Sequence, residues 1–365
     1  MRKQKTWCLA LCLSVSAAVA SAAEEPVLNI YNWGDYFGKT TLEKFRQETG
    51  IKVTYDKYDS NEVLQSKLMT GNSGYDLVFP GAQFYAKQVQ ANVFYRLDKR
   101  QLPNMKHLDP KVLSFLNAID AGNEHGMPYA QGTTGVTVNI DKVKKAIGGE
   151  LPDNPLALLF EPKYASKVAS CGMTYFDSAS EMYGLVFSYM GKDLALATAE
   201  DLKKAQALLK PVRPFVRKFV GLPSQYMASG DFCVAMAYSG DSSFSVKKAK
   251  AATGGAIQYF TPPHHTPFWI DMMAIPRDAK HPGNALKFMN FIMRPEVIAE
   301  LTRDIYYSTA NTGTQPYVSD EYRKNTGIFP TEAMKQQFVL VRPLSPVLQR
   351  QLTERFNQFK TGKFN

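Results

Sequence analysis

Three strand-like apolar runs separated by two amphipathic helical runs, all between residues 27 and 79, constrain the fold more than any other feature of the chain. Residues 27–31 read as a buried strand and 40–49 as a helix closed by Gly50. Residues 51–55 form the next strand and 60–70 the next helix, closed by Gly71. Residues 75–79 supply a third strand ahead of Pro80-Gly81. A β-α-β-α-β run of this kind belongs to the α/β class. Ligands of open α/β sheets bind beyond the carboxyl ends of the strands, where residues 33–36 and 81–83 fall.

Further along, Gly132-Thr133-Thr134-Gly135 reads as a flexible strand entry or hinge leading into Val136-Thr137-Val138. Residues 256–260 and 271–275 read as strands flanking the turn-rich residues 261–267. The chain is therefore expected to cross between two lobes twice, which makes the domains discontinuous. The tail from Thr331 reads as a basic amphipathic helix. With 365 residues and 45% hydrophobic content, there is enough chain for two domains with buried cores.

The first residues point to export. Arg2, Lys3 and Lys5 precede an apolar run over residues 7–20, and Ala20-Ser21-Ala22 offers the small residues of a cleavage site. The expectation is a signal peptide over residues 1–22, cleaved near Ala22, and a periplasmic mature chain. A membrane anchor fits less well, because the run is short for ~30 Å of hydrocarbon and acidic Glu24 and Glu25 follow it. Leu11 ahead of Cys12 is not the small residue that lipoprotein processing favours. Cys8 and Cys12 leave with the signal, so Cys171 and Cys233 remain as a pair in an oxidising compartment. A disulfide between them is expected, with two buried free thiols as the alternative. The bridge would place residues 171–233 in one compact lobe.

Residues 1–22 contain no acid, so removing three basic residues lowers the formal charge from +10 to +7. The remaining lysines are dispersed in pairs such as Lys144-Lys145 and Lys203-Lys204, which read as solvated helix faces and not as a nucleic-acid surface. Against this basic background stand short segments that mix carboxylates with aromatic rings: Asn32-Trp33-Gly34-Asp35-Tyr36, Asp177 with Glu181, residues 238–241, Trp269-Ile270-Asp271 and Tyr306-Tyr307. Ring faces and carboxylates both attract positive charge, so the pattern suits an organic cation. Asp177 reads as a local cap. Gly240-Asp241-Ser242-Ser243 lacks the later glycine of a hydrolase nucleophile turn, and His264-His265 has no Cys, Asp or Glu at ligand spacing. No phosphate-loop or dinucleotide glycine motif occurs, and no cofactor is expected.

Leu28-Asn29-Ile30-Tyr31-Asn32-Trp33, Gly74-Tyr75-Asp76-Leu77-Val78, Thr133-Thr134-Gly135, residues 229–235 and Ala274-Ile275-Pro276 occur in an order that resembles the periplasmic polyamine-binding proteins of ABC transporters, most of all the putrescine-binding type. The resemblance covers essentially the whole mature chain and includes both cysteines. It implies a type II periplasmic-binding-protein fold of two α/β lobes joined by a hinge, with a ligand cleft between them. Lobe 1 would comprise residues 23–135 and 263–315, and lobe 2 residues 136–262 and 316–365. It also implies a monomeric, non-enzymatic receptor that captures a polyamine and delivers it to an inner-membrane ABC permease. A receptor for another organic cation, a polyamine sensor and a secreted hydrolase are the alternatives.

Residue by residue, the resemblance puts Trp33, Tyr238 and Trp269 around the aliphatic part of the ligand, and Glu181, Asp241 and Asp271 at its ammonium groups. Asp35 would lie nearby and Tyr307 would line the same cleft. The chain departs from the family pattern at four positions: Gly34 and Gly81 stand where serine is usual, Tyr238 where tryptophan is usual, and Trp269 where phenylalanine is usual. These exchanges would reshape the box without removing its charge.

Overall fold

The computed structural model describes residues 24–364 apart from Asp59, Leu222 and residues 253–255. The expected signal peptide lies outside the described residues. Among the described residues, eleven strands occur: β1 (Val27–Trp33), β2 (Lys52–Tyr58), β3 (Leu77–Val78), β4 (Gly126–Asn139), β5 (Met173–Phe176), β6 (Lys218–Val220), β7 (Val234–Tyr238), β8 (Ile257–Phe260), β9 (Thr266–Ala274), β10 (Ser308–Thr309) and β11 (Phe338–Leu340). β1 pairs in parallel with both β2 and β3, as the β-α-β-α-β run requires. The intervening helices are Thr41–Thr49 and Asn61–Met69. Gly50 ends the first with a left-handed φ of 71°, and the Ser60 side chain caps the second by accepting from Val63 N.

Eight of the strands form one hydrogen-bonded path, β2-β1-β3-β9-β4-β7-β5-β6, with β8 and β10 paired to β4 and β11 to β9 off it. β4 joins its two halves. Residues 126–133 of β4 run antiparallel to β9, and residues 134–138 run antiparallel to β7. Residues 136–139 also pair with β8. The expected flexible entry at residues 132–135 is thus the middle of one continuous strand. A Cβ on Gly132 would meet Trp269 Cζ2 at 2.4 Å, so close packing, and not loop flexibility, accounts for glycine there.

Among the described residues, two large hydrophobic cores lie on either side of this crossing, with a small third cluster of Met227, Phe232, Ala235 and Ile257 beside β7 and β8. One large core gathers Leu28, Ile30, Phe45, Leu77, Met272, Phe288 and their neighbours, and the other gathers Val138, Tyr175, Val186, Val234, Leu352 and theirs. Tyr238 packs against both. Two cores bridged by shared strands are the two-lobed α/β architecture. Helix Pro346–Thr361 returns the chain to the second core through Leu348, Leu352, Phe356 and Phe359. The tail is less uniformly helical than its composition implies, because β11 and the short helix Glu332–Lys335 precede that helix. β9 also begins earlier than expected, at Thr266, where its first residues pair with β11. The disulfide expected between Cys171 and Cys233 is present, with Cα atoms 5.6 Å apart, and ties the turn before β5 to the start of β7.

Candidate functional site

The site assembles at the ends of strands, where the chain turns and side chains are free to converge. Trp33 ends β1, Tyr238 ends β7, and Trp269 and Asp271 lie in β9. Glu181 sits in the first turn of helix Ala179–Tyr189, after β5, and Asp241 in the first turn of helix Ser239–Ala252. Tyr307 precedes β10, directly after the left-handed residue Tyr306 that caps helix Pro295–Ile305.

Aromatic edges hold the centre together. Tyr238 and Trp269 meet edge-to-face with ring centroids 5.9 Å apart, and Trp269 meets Tyr307 at 5.3 Å. Tyr307 in turn meets Tyr36 at 5.7 Å. Trp33 packs on Tyr58 at 4.7 Å and is fixed by its indole N–H, which donates to the Phe79 carbonyl at 3.1 Å.

Three carboxylates sit within this aromatic wall. The Tyr36 hydroxyl donates to Asp271 Oδ2 at 2.8 Å, the Thr134 hydroxyl donates to Glu181 Oε2 at 3.1 Å, and the Tyr307 hydroxyl bonds Asp241. Asp271 is buried, while Glu181 and Asp241 keep part of their surface open. Enclosure by protein pushes all three carboxyls up to about 7, against the hydrogen bonds from Thr134, Tyr307 and Tyr36, which favour the ionised forms. The charge of Glu181 raises Asp271 further. Among the described residues, no lysine or arginine pairs with any of the three. Asp241 Oδ2 and Trp269 Nε1 are buried without a hydrogen-bond partner.

Desolvated carboxylates without a basic partner are costly, and the cost is removed by a cation placed among them. Among the described residues, no group of three or more His, Cys, Asp and Glu side chains converges to hold a metal ion. The carboxylates are instead distributed around the rings, an arrangement for an elongated organic cation with apolar atoms between its charges. Glu181 also borders an open cavity, shared with Gln83, Ser180, His265, Pro267 and Val341.

Of the eight residues expected from sequence at the ligand, Glu181, Tyr238, Asp241, Trp269, Asp271 and Tyr307 are linked by these interactions, and Trp33 is held apart from them on Tyr58. Asp35 is not part of the assembly. Its φ of 53° turns the chain so that the side chain leaves the wall, stands exposed and pairs with Lys57 at 2.5 Å. The same turn directs Tyr36 inward, where its backbone carbonyl accepts from the Tyr129 hydroxyl at 2.5 Å. Asp177 does not cap helix Ala179–Tyr189; Ser178 does, and Asp177 instead accepts from Lys360 at 2.6 Å.

Sequence reasoning placed Tyr36 in an aromatic-carboxylate segment without giving it a contact, and it missed Thr134 and Asn61 as parts of the site. Tyr36 carried a signal, its place in the Trp-Gly-Asp-Tyr segment. Thr134 and Asn61 carried none, since their roles are hydrogen bonds to residues distant in the chain. The Asn61 side chain accepts from Gly81 N at 2.9 Å and occupies the space above Gly81, so a Cβ there would lie 3.0 Å from Asn61 Nδ2. Gly34 faces open space instead.

Comparison with known proteins agrees with this geometry. Residues 40–331 match the family described as bacterial extracellular solute-binding protein. The chain is 41% identical to the putrescine-binding periplasmic protein SpuD of Pseudomonas aeruginosa, over 97% of this chain and 98% of that protein. It is 38% identical to the putrescine-binding periplasmic protein PotF of Escherichia coli, over 98% and 99% of the two chains. Among solved structures, the spermidine/putrescine ABC transporter substrate-binding protein PotD of Streptococcus pneumoniae superposes with a TM-score of 0.79, at 26% identity and covering 93% of this chain and 99% of that one. The two-lobed α/β fold, the partnerless carboxylates and these likenesses converge, and the chain belongs to the bacterial extracellular solute-binding proteins.

Proposed function

We propose that this protein is the periplasmic receptor of a polyamine ABC importer, and that it captures a linear amine of the putrescine class between its two lobes. The observation that carries the reading is the set of Glu181, Asp241 and Asp271, enclosed by aromatic rings and lacking a basic partner. Relatives named as putrescine-binding and spermidine/putrescine-binding proteins support it.

Glu181, Asp241 and Asp271 receive the ammonium groups by charge-assisted hydrogen bonds. Trp33, Tyr238, Trp269 and Tyr307 cover the methylenes and turn ring faces to the charge. Lobe 1 would comprise residues 23–135 and 263–315, and lobe 2 residues 136–262 and 316–365, with β11 of the last stretch paired to β9 of lobe 1. β4 supplies one crossing between them. A ligand that bridges the two lobes favours the closed form, because only closure satisfies both of its charges. The protein acts as an exported monomer and hands its ligand to an inner-membrane permease.

Calorimetric titration of the mature chain, refolded to remove carried-over ligand, tests this reading against putrescine, cadaverine, spermidine, agmatine and butylamine. Binding of di- and polyamines with butylamine silent is the expected result. Failure of every di- and polyamine to bind overturns it, and selective binding of agmatine moves the ligand class to guanidinium compounds.

A further inference from the structure

The three enclosed carboxylates account for two cationic centres, but a fourth carboxylate bears on the same space. Glu62 lies in the first turn of helix Asn61–Met69, beside the residue that anchors that turn to the site. Asn61 Oδ1 accepts from Gly81 N at 2.9 Å, and Gly81 forms an isolated antiparallel bridge with Asp271. Two consecutive contacts therefore fix the start of the helix against the wall that carries Asp271.

Glu62 is exposed and makes no ion pair among the described residues, whereas Glu43, Glu124, Glu161, Glu300 and Glu332 each hold a lysine or arginine. Its field reaches Glu181 and Tyr238, both of which it makes harder to ionise. Glu62 comes from an element packed on the first core, and Glu181 from one packed on the second. Two like charges brought close by lobe closure repel, and a cation between them reverses the sign of the interaction.

We propose that Glu62 is a specificity-determining residue of the site, and that with Glu181 it takes the third cationic centre of a linear triamine whose other charges lie at Asp241 and Asp271. The proposal rests on the polyamine reading above. A diamine spans only the enclosed carboxylates and leaves Glu62 in water. A triamine is long enough to leave the aromatic box and place its last ammonium at the Glu62 edge.

Titration of wild type and Glu62→Gln with spermidine and with putrescine, at ~150 mM salt so that long-range steering is screened, separates the possibilities. The variant is expected to lose about fivefold in spermidine affinity and less than twofold in putrescine affinity, the scale of a partly exposed charge pair. Equal losses for both amines overturn the proposal, since Glu62 would then act only as a general attractive charge. No loss for either overturns it as well. Glu354→Gln, an exposed acid of helix Pro346–Thr361, reports the effect of one charge on the whole-protein field. If wild type binds neither amine, the polyamine reading itself fails, a result that needs no variant to recognise.

Discussion

The Tyr36 hydroxyl donates to Asp271 Oδ2 at 2.8 Å, a buried bond that joins residues 235 positions apart in the chain. The bond orients an enclosed carboxylate before any ligand arrives and leaves its other oxygen, which faces Gly81, for a cation. Asp271→Asn removes the charge but keeps the shape. Diamine affinity should fall by about 2 to 5 kcal/mol, the usual cost of losing one partner of a buried pair. Tyr36→Phe removes only the orienting bond and should cost about 0.5 to 1.5 kcal/mol. Calorimetry at pH 7.5 ranks the two. An Asp271→Asn variant that binds putrescine as wild type does would remove Asp271 from the site.

Acidity links the same carboxyls to stability. Burial raises Glu181, Asp241 and Asp271 to about 7, against roughly 4 in an unfolded chain. Between these values the folded, ligand-free state holds protons that the unfolded state has released, so stability falls as pH rises from about 4 to about 7. The destabilisation is fully present above about 7. Asp241→Asn removes one such group, so its melting temperature relative to wild type should be higher at pH 8 than at pH 5, by on the order of a few degrees. A pH-independent difference would show that Asp241 is not perturbed.

Ligand binding should follow the opposite course. An ammonium group favours the ionised carboxylates, so binding near pH 7 releases protons and affinity weakens on acidification. We expect at least about a tenfold loss between pH 8 and pH 6, one pH unit of carboxyl protonation being worth about that factor. Titrations in two buffers of different ionisation enthalpy measure the released protons directly, and zero release would contradict the raised carboxyl values.

The Cys171–Cys233 bridge closes a sequence separation of 62 residues within the second core. Replacing both cysteines by serine should lower unfolding stability by about 2 to 4 kcal/mol, as for loops of this kind. Urea unfolding of the double variant checks it. Neither cysteine belongs to the aromatic wall, so diamine affinity should change little. A large affinity loss would mean that the bridge positions Tyr238 through β7.

Much of this was written in the sequence where chemistry and local conformation coincide. Gly50 and Ser60 mark helix ends by their own backbone and side-chain properties, and the first β-α-β-α-β run is legible from them. The aromatic-carboxylate segments are legible because a cation site needs both residue types in a basic protein. Asp35 was misplaced because a sequence does not display a positive φ; one left-handed residue exchanges the directions of Asp35 and Tyr36. Residues 132–135 were misread because glycine also serves close packing, here against the Trp269 ring. Asn61 and Thr134 act through partners 20 and 47 positions away, and no local pattern records such bonds.

Gly240 gives the last prediction, because it lies between Tyr238 and Asp241 and directly against the Tyr307 ring. A Cβ there would fall 2.3 Å from Tyr307 Cε1. Gly240→Ala should therefore displace the Tyr307 ring, break its bond to Asp241 and hold the lobes apart. Position 240 is the second residue of helix Ser239–Ala252, where alanine is the better helix former, so helix propensity offsets part of the cost of moving the buried Tyr307 ring in the ligand-free protein. The expected combination is a modestly lower melting temperature without ligand and a diamine affinity lower by about tenfold or more, the effect of losing one hydrogen bond to a charged group. Small-angle scattering with saturating putrescine should show a larger radius of gyration for the variant than for wild type. Equal radii together with unchanged affinity would show that Tyr307 moves aside without cost, and that its contact with Asp241 contributes nothing to closure.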